Sequence, residues 1–360
     1  MNRSYYHELA AGGLRMPIGV DLVLHEHADH ESRLLDGDAL GAVVAEAAQR
    51  YGTPLAFPLM DLRVEKEDLL HVLGLGAGDL DGFHFAQPPQ AQMVDRVREN
   101  PNAPLTPRMA ANAQAIRHIA GQYRNLVPMG MAIGPFSLMT KLLSDPITAV
   151  FLSGSGLSGD DEPDVLAMER ALELATLIVE RGLRVQCEAG AKAVCVCEPA
   201  ANQVFISPTQ LESTDVWERL VMAPNCRIKA VLDAHGADLV LHDCGELTDT
   251  MVRHLATLDP AVLSLGSSRQ LPHDASLVPE RTVLFGNLPT KRFYSDTEMS
   301  VAQVEKLTLE LADAMRALDR PFILGSECDV LSVPGAHQTI SRKVHTMLHC
   351  GCPKGSHVHV

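Results

Sequence analysis

The strongest constraint on this chain is an alternation of short apolar runs of strand length with longer stretches whose apolar residues recur every three or four positions. Strand-like runs lie at 126–133, 193–197, 237–242, 262–266, 281–287 and 321–325, and helical patterns at 106–122, 137–143, 165–181, 213–235, 249–258 and 301–318. The third of these helices shows the pattern best, with Leu166, Met168, Ala171, Leu172, Leu174, Ala175 and Ile178 on one stripe. A break is expected at Pro224 in the 213–235 stretch. Parallel neighbours need a long crossover, usually a helix, so strand and helix in regular order imply a parallel sheet. The simplest closed form is an α/β fold of the (β/α)8 TIM-barrel type, which runs to about 250 residues and often more. A chain of 360 residues suits one such domain with N-terminal additions, the barrel covering about 14–348 and a His- and Cys-containing tail 349–360.

The first hundred residues follow the pattern less regularly. Residues 16–24 read as the strand that opens the barrel, ending in His25-Glu26-His27-Ala28-Asp29-His30. That cluster can bind metal or line a pocket, and His25 and His27 are candidate substrate-binding residues; a solvated polar loop is the plainer alternative. Leu40, Val43, Val44 and Ala47 mark a helix over 38–51, and prolines keep 53–60 extended before Asp61. A short helix within 64–82 ends at Gly74, Gly76 and Gly78, which lack the preceding strand and following helix of a dinucleotide loop. Pro88-Pro89 opens a helix to about residue 100, and prolines make 100–107 a loop.

Composition narrows the function classes. A formal charge of −15 argues against nucleic-acid binding, which needs a basic surface to neutralise phosphates. No apolar run is long enough to span a membrane, and the N-terminal residues lack the pattern of a signal peptide, so a cytoplasmic protein without membrane contact is expected. Eight cysteines in such a chain read as thiols or metal ligands rather than a disulfide framework.

Chemistry concentrates where strands end. The run Ala237-Asp238-Leu239-Val240-Leu241 stops at His242, with Cys244 two residues on and Gly245 after it; the run 321–325 leads to Ser326-Glu327-Cys328-Asp329. In a barrel all the C-terminal strand ends share one mouth, so His242, Cys244 and Cys328 converge there with Glu198 and Asn287. Two thiols, one imidazole and an open fourth position are the donor set of a catalytic zinc; a structural zinc normally has four protein ligands. Glu198 is the candidate catalytic carboxylate, as a displaceable ligand or a substrate contact, with the cap of a turn as its alternative role. Asn287 is a candidate substrate contact, and Asp243 and Asp329 are candidates to orient the ligands beside them. Cys195 and Cys197, alternating on one strand face, read as core. The tail residues His349, Cys350, Cys352, His357 and His359 form a rival metal tract by composition.

The motifs Ile133-Gly134-Pro135-Phe136-Ser137-Leu138-Met139, Glu198-Pro199, Ile206-Ser207-Pro208, Leu241-His242-Asp243-Cys244-Gly245, Phe285-Gly286-Asn287 and Gly325-Ser326-Glu327-Cys328-Asp329 occur in that order. Together they resemble the uroporphyrinogen decarboxylase superfamily over roughly residues 10–350, and most closely its corrinoid-dependent methyltransferases. That branch includes methylcobamide:coenzyme M methyltransferases and the methyltransferases of O-demethylase systems. The resemblance implies zinc on His242, Cys244 and Cys328. It also implies methyl transfer between a small methyl donor or thiol acceptor and a corrinoid carried by a separate protein. The decarboxylase branch has an arginine-rich N-terminal motif; here Gly19-Val20-Asp21-Leu22-Val23-Leu24-His25 stands instead. A decarboxylase-like enzyme and a non-catalytic metal-binding barrel are the alternatives.

Overall fold

The computed structural model describes residues 3–76 and 78–351. Its eight strands are β1 (Arg15–Ile18), β2 (Leu55–Ala56), β3 (Val127–Ile133), β4 (Ala193–Cys197), β5 (Asp238–Asp243), β6 (Val262–Leu265), β7 (Val283–Leu288) and β8 (Phe322–Asp329). All strand pairings among the described residues are parallel, in the order β1-β8-β7-β6-β5-β4-β3-β2. The sheet curls into a (β/α)8 TIM barrel surrounded by helices. No ladder joins β1 to β2 among the described residues; the two meet through side chains, with Thr53 Oγ1 3.3 Å from Met16 Sδ.

Alternation along each strand divides the core in two. Met16, Ile18, Met129, Met131, Cys195, Cys197, Val240, Val262, Phe285 and Ile323 fill the barrel. Their neighbours Val194, Val196, Leu239, Leu241, Leu263 and Leu284 pack outward against helices. Both faces are therefore dry, and this is why the strands read as unbroken apolar runs. The helix Ser4–Ala11 is the N-terminal addition; its buried Tyr6 donates to Asp238 Oδ2 at 3.0 Å, at the start of β5.

Because β2 is only two residues long, β3 outruns its partner, and beyond Pro128 its outer edge lacks a ladder. Gln186, from the helix Pro163–Glu188, fills that place: its Oε1 accepts from Met131 N at 2.8 Å and its Nε2 donates to Met131 O at 3.0 Å. A buried edge that would leave polar groups unpaired is thus closed by one carboxamide.

Several elements depart from expectation. The strand expected over 16–24 stops at Ile18, because Gly19 adopts φ +78° and Asp21–Leu24 form a helical turn. Leu22, Val23 and Leu24 are buried all the same, so the apolar run reports burial and not period. At Pro224 the helix does not break: a π-helical turn, Glu218–Met222, runs directly into the helix Ala223–Ala234. Helices the sequence pattern did not mark include Pro146–Gly154 and His337–His349, the latter completing the last βα unit and including His349 of the expected tail. Cys352, His357 and His359 lie outside the described residues.

Candidate metal centre at the barrel mouth

His242 is the penultimate residue of β5, paired in register with Cys197 on one side and Ser264 on the other. Its ring is 1% exposed, Nδ1 lies 2.9 Å from Ser264 Oγ, and Nε2 has no partner. A buried nitrogen without a partner is costly unless something occupies the place it faces. Asp243 Oδ1 accepts from Gly245 N at 2.8 Å and shapes the turn that carries Cys244. This turn packs so closely on β6 that a Cβ at Gly266 would lie 2.8 Å from the Cys244 backbone, which only glycine tolerates.

Cys328 reaches the same place by a bulge. Met16 pairs with Gly325 and Ile18 with Asp329, so β8 spends three residues, 326–328, where β1 spends only Pro17. Ser326 Oγ replaces the missing ladder acceptor by taking the Ile18 N–H at 2.8 Å. Bulges re-aim side chains, and this one sets Cys328 against the end of β5. The donor atoms of His242, Cys244 and Cys328 all lie within 4.8 Å of one another. Cys328 Sγ is also 3.9 Å from Met60 Sδ.

The electrostatics distinguish the two thiols. The adjoining Cys328 and then burial push the Cys244 thiol up to about 12. Cys328 is held below the ordinary thiol range by Cys244, and Lys291 adds to this against the effect of burial. Burial works against the Lys291 charge, but Cys244, Cys328 and Glu327 outweigh it and keep the ammonium protonated above the usual lysine range. Glu327 holds the loop that carries this lysine, accepting from Lys291 N at 3.2 Å and from the Ser267 hydroxyl. Cys328 and Lys291 line a mouth cavity of about 670 Å³, together with Asp21, His25, Met60 and Lys141.

The family model for uroporphyrinogen decarboxylase (URO-D) matches residues 23–338. The chain belongs to the URO-D family. Among solved structures, a methyltransferase from Methanosarcina mazei is similar to this URO-D family chain, with a TM-score of 0.64 at 13% identity, covering 96% of this chain and 98% of that one. A 3-keto-D-glucoside 4-epimerase from E. coli matches at TM-score 0.34 and 15% identity, covering 66% and 93% respectively, too distant to carry argument. Among curated protein sequences, none matches.

Other residues expected at the mouth of this URO-D family barrel have different partners. Glu198 is fully buried, but its carboxylate turns outward to the helix Pro135–Thr140, accepting Phe136 N at 3.2 Å, Ser137 N at 2.8 Å and Asn225 Nδ2 at 2.8 Å. It braces that helix start, not the turn that follows it, and is absent from the cluster of His242, Cys244 and Cys328. Burial raises its pKa although those three hydrogen bonds pull the other way. Asn287 Nδ2 donates to Gly266 O at 2.8 Å and Arg269 O at 2.9 Å, pinning the loop after β6. His27 pairs with Glu46 Oε2 at 3.1 Å and is not on the cavity wall, whereas His25 is. Asp329 bonds to no ligand residue: both oxygens lack partners, and burial and then Asp21 push its pKa well above the carboxylate range.

Cys195 and Cys197 are fully buried in the barrel, their sulfurs 3.9 Å apart. Asp249, His273 and Asp274 also bring three ligand atoms together, but Arg269 bonds to both carboxylates and takes up their charge. Sequence patterning missed Ser264, Lys291 and Met60. Of these only Ser264 carried a signal, as a lone hydroxyl in the apolar 262–266 strand.

Proposed function

We propose that this protein is a zinc-dependent methyltransferase that moves a methyl group between a small substrate, either a methyl donor or a thiol acceptor, and a corrinoid carried by a separate protein. The observation that carries this reading is the set of two thiols and one imidazole within 4.8 Å, with His242 Nε2 buried and unpartnered and Cys328 on the wall of the mouth cavity. Soft sulfur and imidazole donors suit zinc, and three of them leave a place for substrate. The methyltransferase of the same fold from Methanosarcina mazei supports the reaction class.

Each residue has a task in this scheme. Ser264 accepts the Nδ1 proton of His242 and so directs Nε2 to the metal. Cys244 and Cys328 give up their protons when the site is loaded, and Lys291 offsets the charge that remains on them. The same ammonium stabilises negative charge on a substrate sulfur or oxygen in the open position. Bound zinc supplies the Lewis acidity that activates the substrate atom, and the corrinoid supplies the cobalt that gives or takes the methyl group.

The test is zinc analysis combined with corrinoid absorbance. The protein would be mixed with cob(I)alamin and methoxylated aromatics, and in reverse with methylcobalamin and thiols. The reading expects one zinc equivalent that His242→Ala loses, and a spectral change in one direction. No zinc at His242 and no change in either direction would overturn it.

A further inference from the structure

Among the described residues eight large apolar side chains stand exposed, and their distribution is one-sided. Leu35 follows β1, Ile147, Phe151 and Leu157 follow β3, Val204 follows β4, Tyr294 follows β7 and Leu331 follows β8. All seven lie in connections at the mouth end of the barrel; only Leu318, just before β8, lies at the other. Single exposed apolar side chains are ordinary, but seven gathered on the end that carries the site mark a surface that is covered in use. Tyr294 and Leu331 also line the mouth cavity with Cys328 and Lys291, so the rim is continuous with the candidate metal centre.

The connection after β3 contributes most. Ile147 and Phe151, 48% and 57% exposed, stand one turn apart on the helix Pro146–Gly154, which turns Ala149, Val150, Ser153 and Gly154 inward. Leu157 follows in a turn closed by its N–H on Leu152 O at 3.2 Å. The next connection holds this helix: Gln210 Nε2 donates to Phe151 O at 3.1 Å and Arg219 Nη2 to Ser153 O at 3.3 Å. The two apolar side chains are thus presented outward on a fixed element. Asp145, Asp160, Asp161 and Glu212 are exposed in the same two connections, and residues 142–169 and 198–217 contain no Lys or Arg.

We propose that this apolar, acid-edged rim is the docking surface for the corrinoid-carrying protein, which meets it with an apolar centre edged by Lys and Arg. The inference rests on the proposed function, because methyl transfer requires the carrier to bring its corrinoid to the mouth. Charge selects this occupant over a second copy of the chain: at a formal −15, with the same carboxylates on both sides, two mouths repel each other. A basic-edged carrier is instead drawn to the rim, and its apolar centre covers Ile147 and Phe151.

The experiment uses the full chain and the corrinoid proteins fractionated, by their cobalamin absorbance, from the cells that produce it. Binding is read by sedimentation velocity, and demethylation of the methylated carrier by a thiol is compared with that of free methylcobalamin, which needs no docking. Ile147→Gln/Phe151→Gln and, on the neighbouring connection, Val204→Gln remove apolar contacts at exposed positions, with circular dichroism and Tm checking the fold. The parent is expected to bind a corrinoid protein, more weakly as salt rises. The double variant should lower kcat/KM with the carrier at least about tenfold and Val204→Gln about threefold, as loss of apolar interface contacts does, with free methylcobalamin turned over as by the parent. Carrier kinetics unchanged in both variants, an equal fall with free methylcobalamin, or no corrinoid protein binding the parent overturns the docking surface. So does a parent dimer that the double variant dissociates, which would assign the face to a second copy. Failure of the proposed function reads differently, as no mouth zinc and no reaction of the parent with free methylcobalamin.

Discussion

His242 Nδ1 lies 2.9 Å from Ser264 Oγ, its register partner on the neighbouring strand, and this one contact fixes the imidazole so that Nε2 is the nitrogen left without a partner. Partners of this kind typically set metal affinity by a factor of about 10–100. Ser264→Ala is therefore expected to keep the fold and to bind zinc at the mouth about 10- to 100-fold more weakly, measured by competition with a chromophoric chelator. Parent-like affinity would mean that the ring is held by packing alone.

Cys328 sits on a bulge whose hydrogen bonding is supplied by Ser326, not by the thiol itself. Cys328→Ser should accordingly leave the melting temperature of the metal-free protein unchanged while abolishing the mouth zinc, since a neutral hydroxyl is a poor zinc ligand. A variant that unfolds would favour a structural role for the centre.

Glu198 gives the opposite expectation. Its carboxylate takes three buried donors, from Phe136, Ser137 and Asn225, and removing it strands them. Glu198→Ala should cost about 2–4 kcal/mol in urea denaturation, by the usual penalty for unsatisfied buried donors, and should retain the mouth zinc. Loss of zinc at unchanged stability would return this residue to the ligand set.

Lys291 is a cation whose charge acts on both thiols. Lys291→Met is expected to keep the zinc and to slow methyl transfer roughly 10- to 100-fold, somewhat less than the loss of an oxyanion-hole donor. Lys291→Arg should restore part of the rate. The readout is the initial rate of methylcobalamin demethylation by a thiol, with zinc content measured in parallel; an unchanged rate would remove this residue from the reaction.

What the sequence made legible follows from how each signal arises. Strands buried on both faces leave apolar runs, so β3 to β8 could be located, and strand ends in a barrel share a mouth, so His242, Cys244 and Cys328 could be grouped from sequence. A run such as 16–24 says only that residues are buried; Gly19 turns it from strand to helix, and periodicity over four residues cannot register the change. Glu198 and Asn287 both stand at strand ends, yet their side chains turn to a helix start and a neighbouring loop. Position along a strand places a residue near the mouth, but the hydrogen-bond donors and acceptors around it decide where its side chain points. Lys291 depends on Glu327 from β8 and Ser267 from the loop after β6, a long-range arrangement with no local pattern.

Glu65 makes stability depend on pH. It lies in the helix Val64–Leu73, is 1% exposed, and its Oε2 has no hydrogen-bond partner. Burial, opposed only in part by backbone hydrogen bonds, pushes its carboxyl from 4.5 up to about 8. The folded protein thus holds this proton more tightly than the unfolded chain does. The resulting stabilisation is complete below pH 4.5 and is lost as pH rises through about 8, at up to about 1.4 kcal/mol per pH unit between. Glu65→Gln keeps the neutral shape without the titration. Its denaturation midpoint relative to the parent should rise steadily across that window, leaving the variant more stable above pH 8. Urea titrations of both proteins at several pH values test this, and parallel pH profiles would show that the Glu65 carboxyl titrates as it does in the unfolded chain.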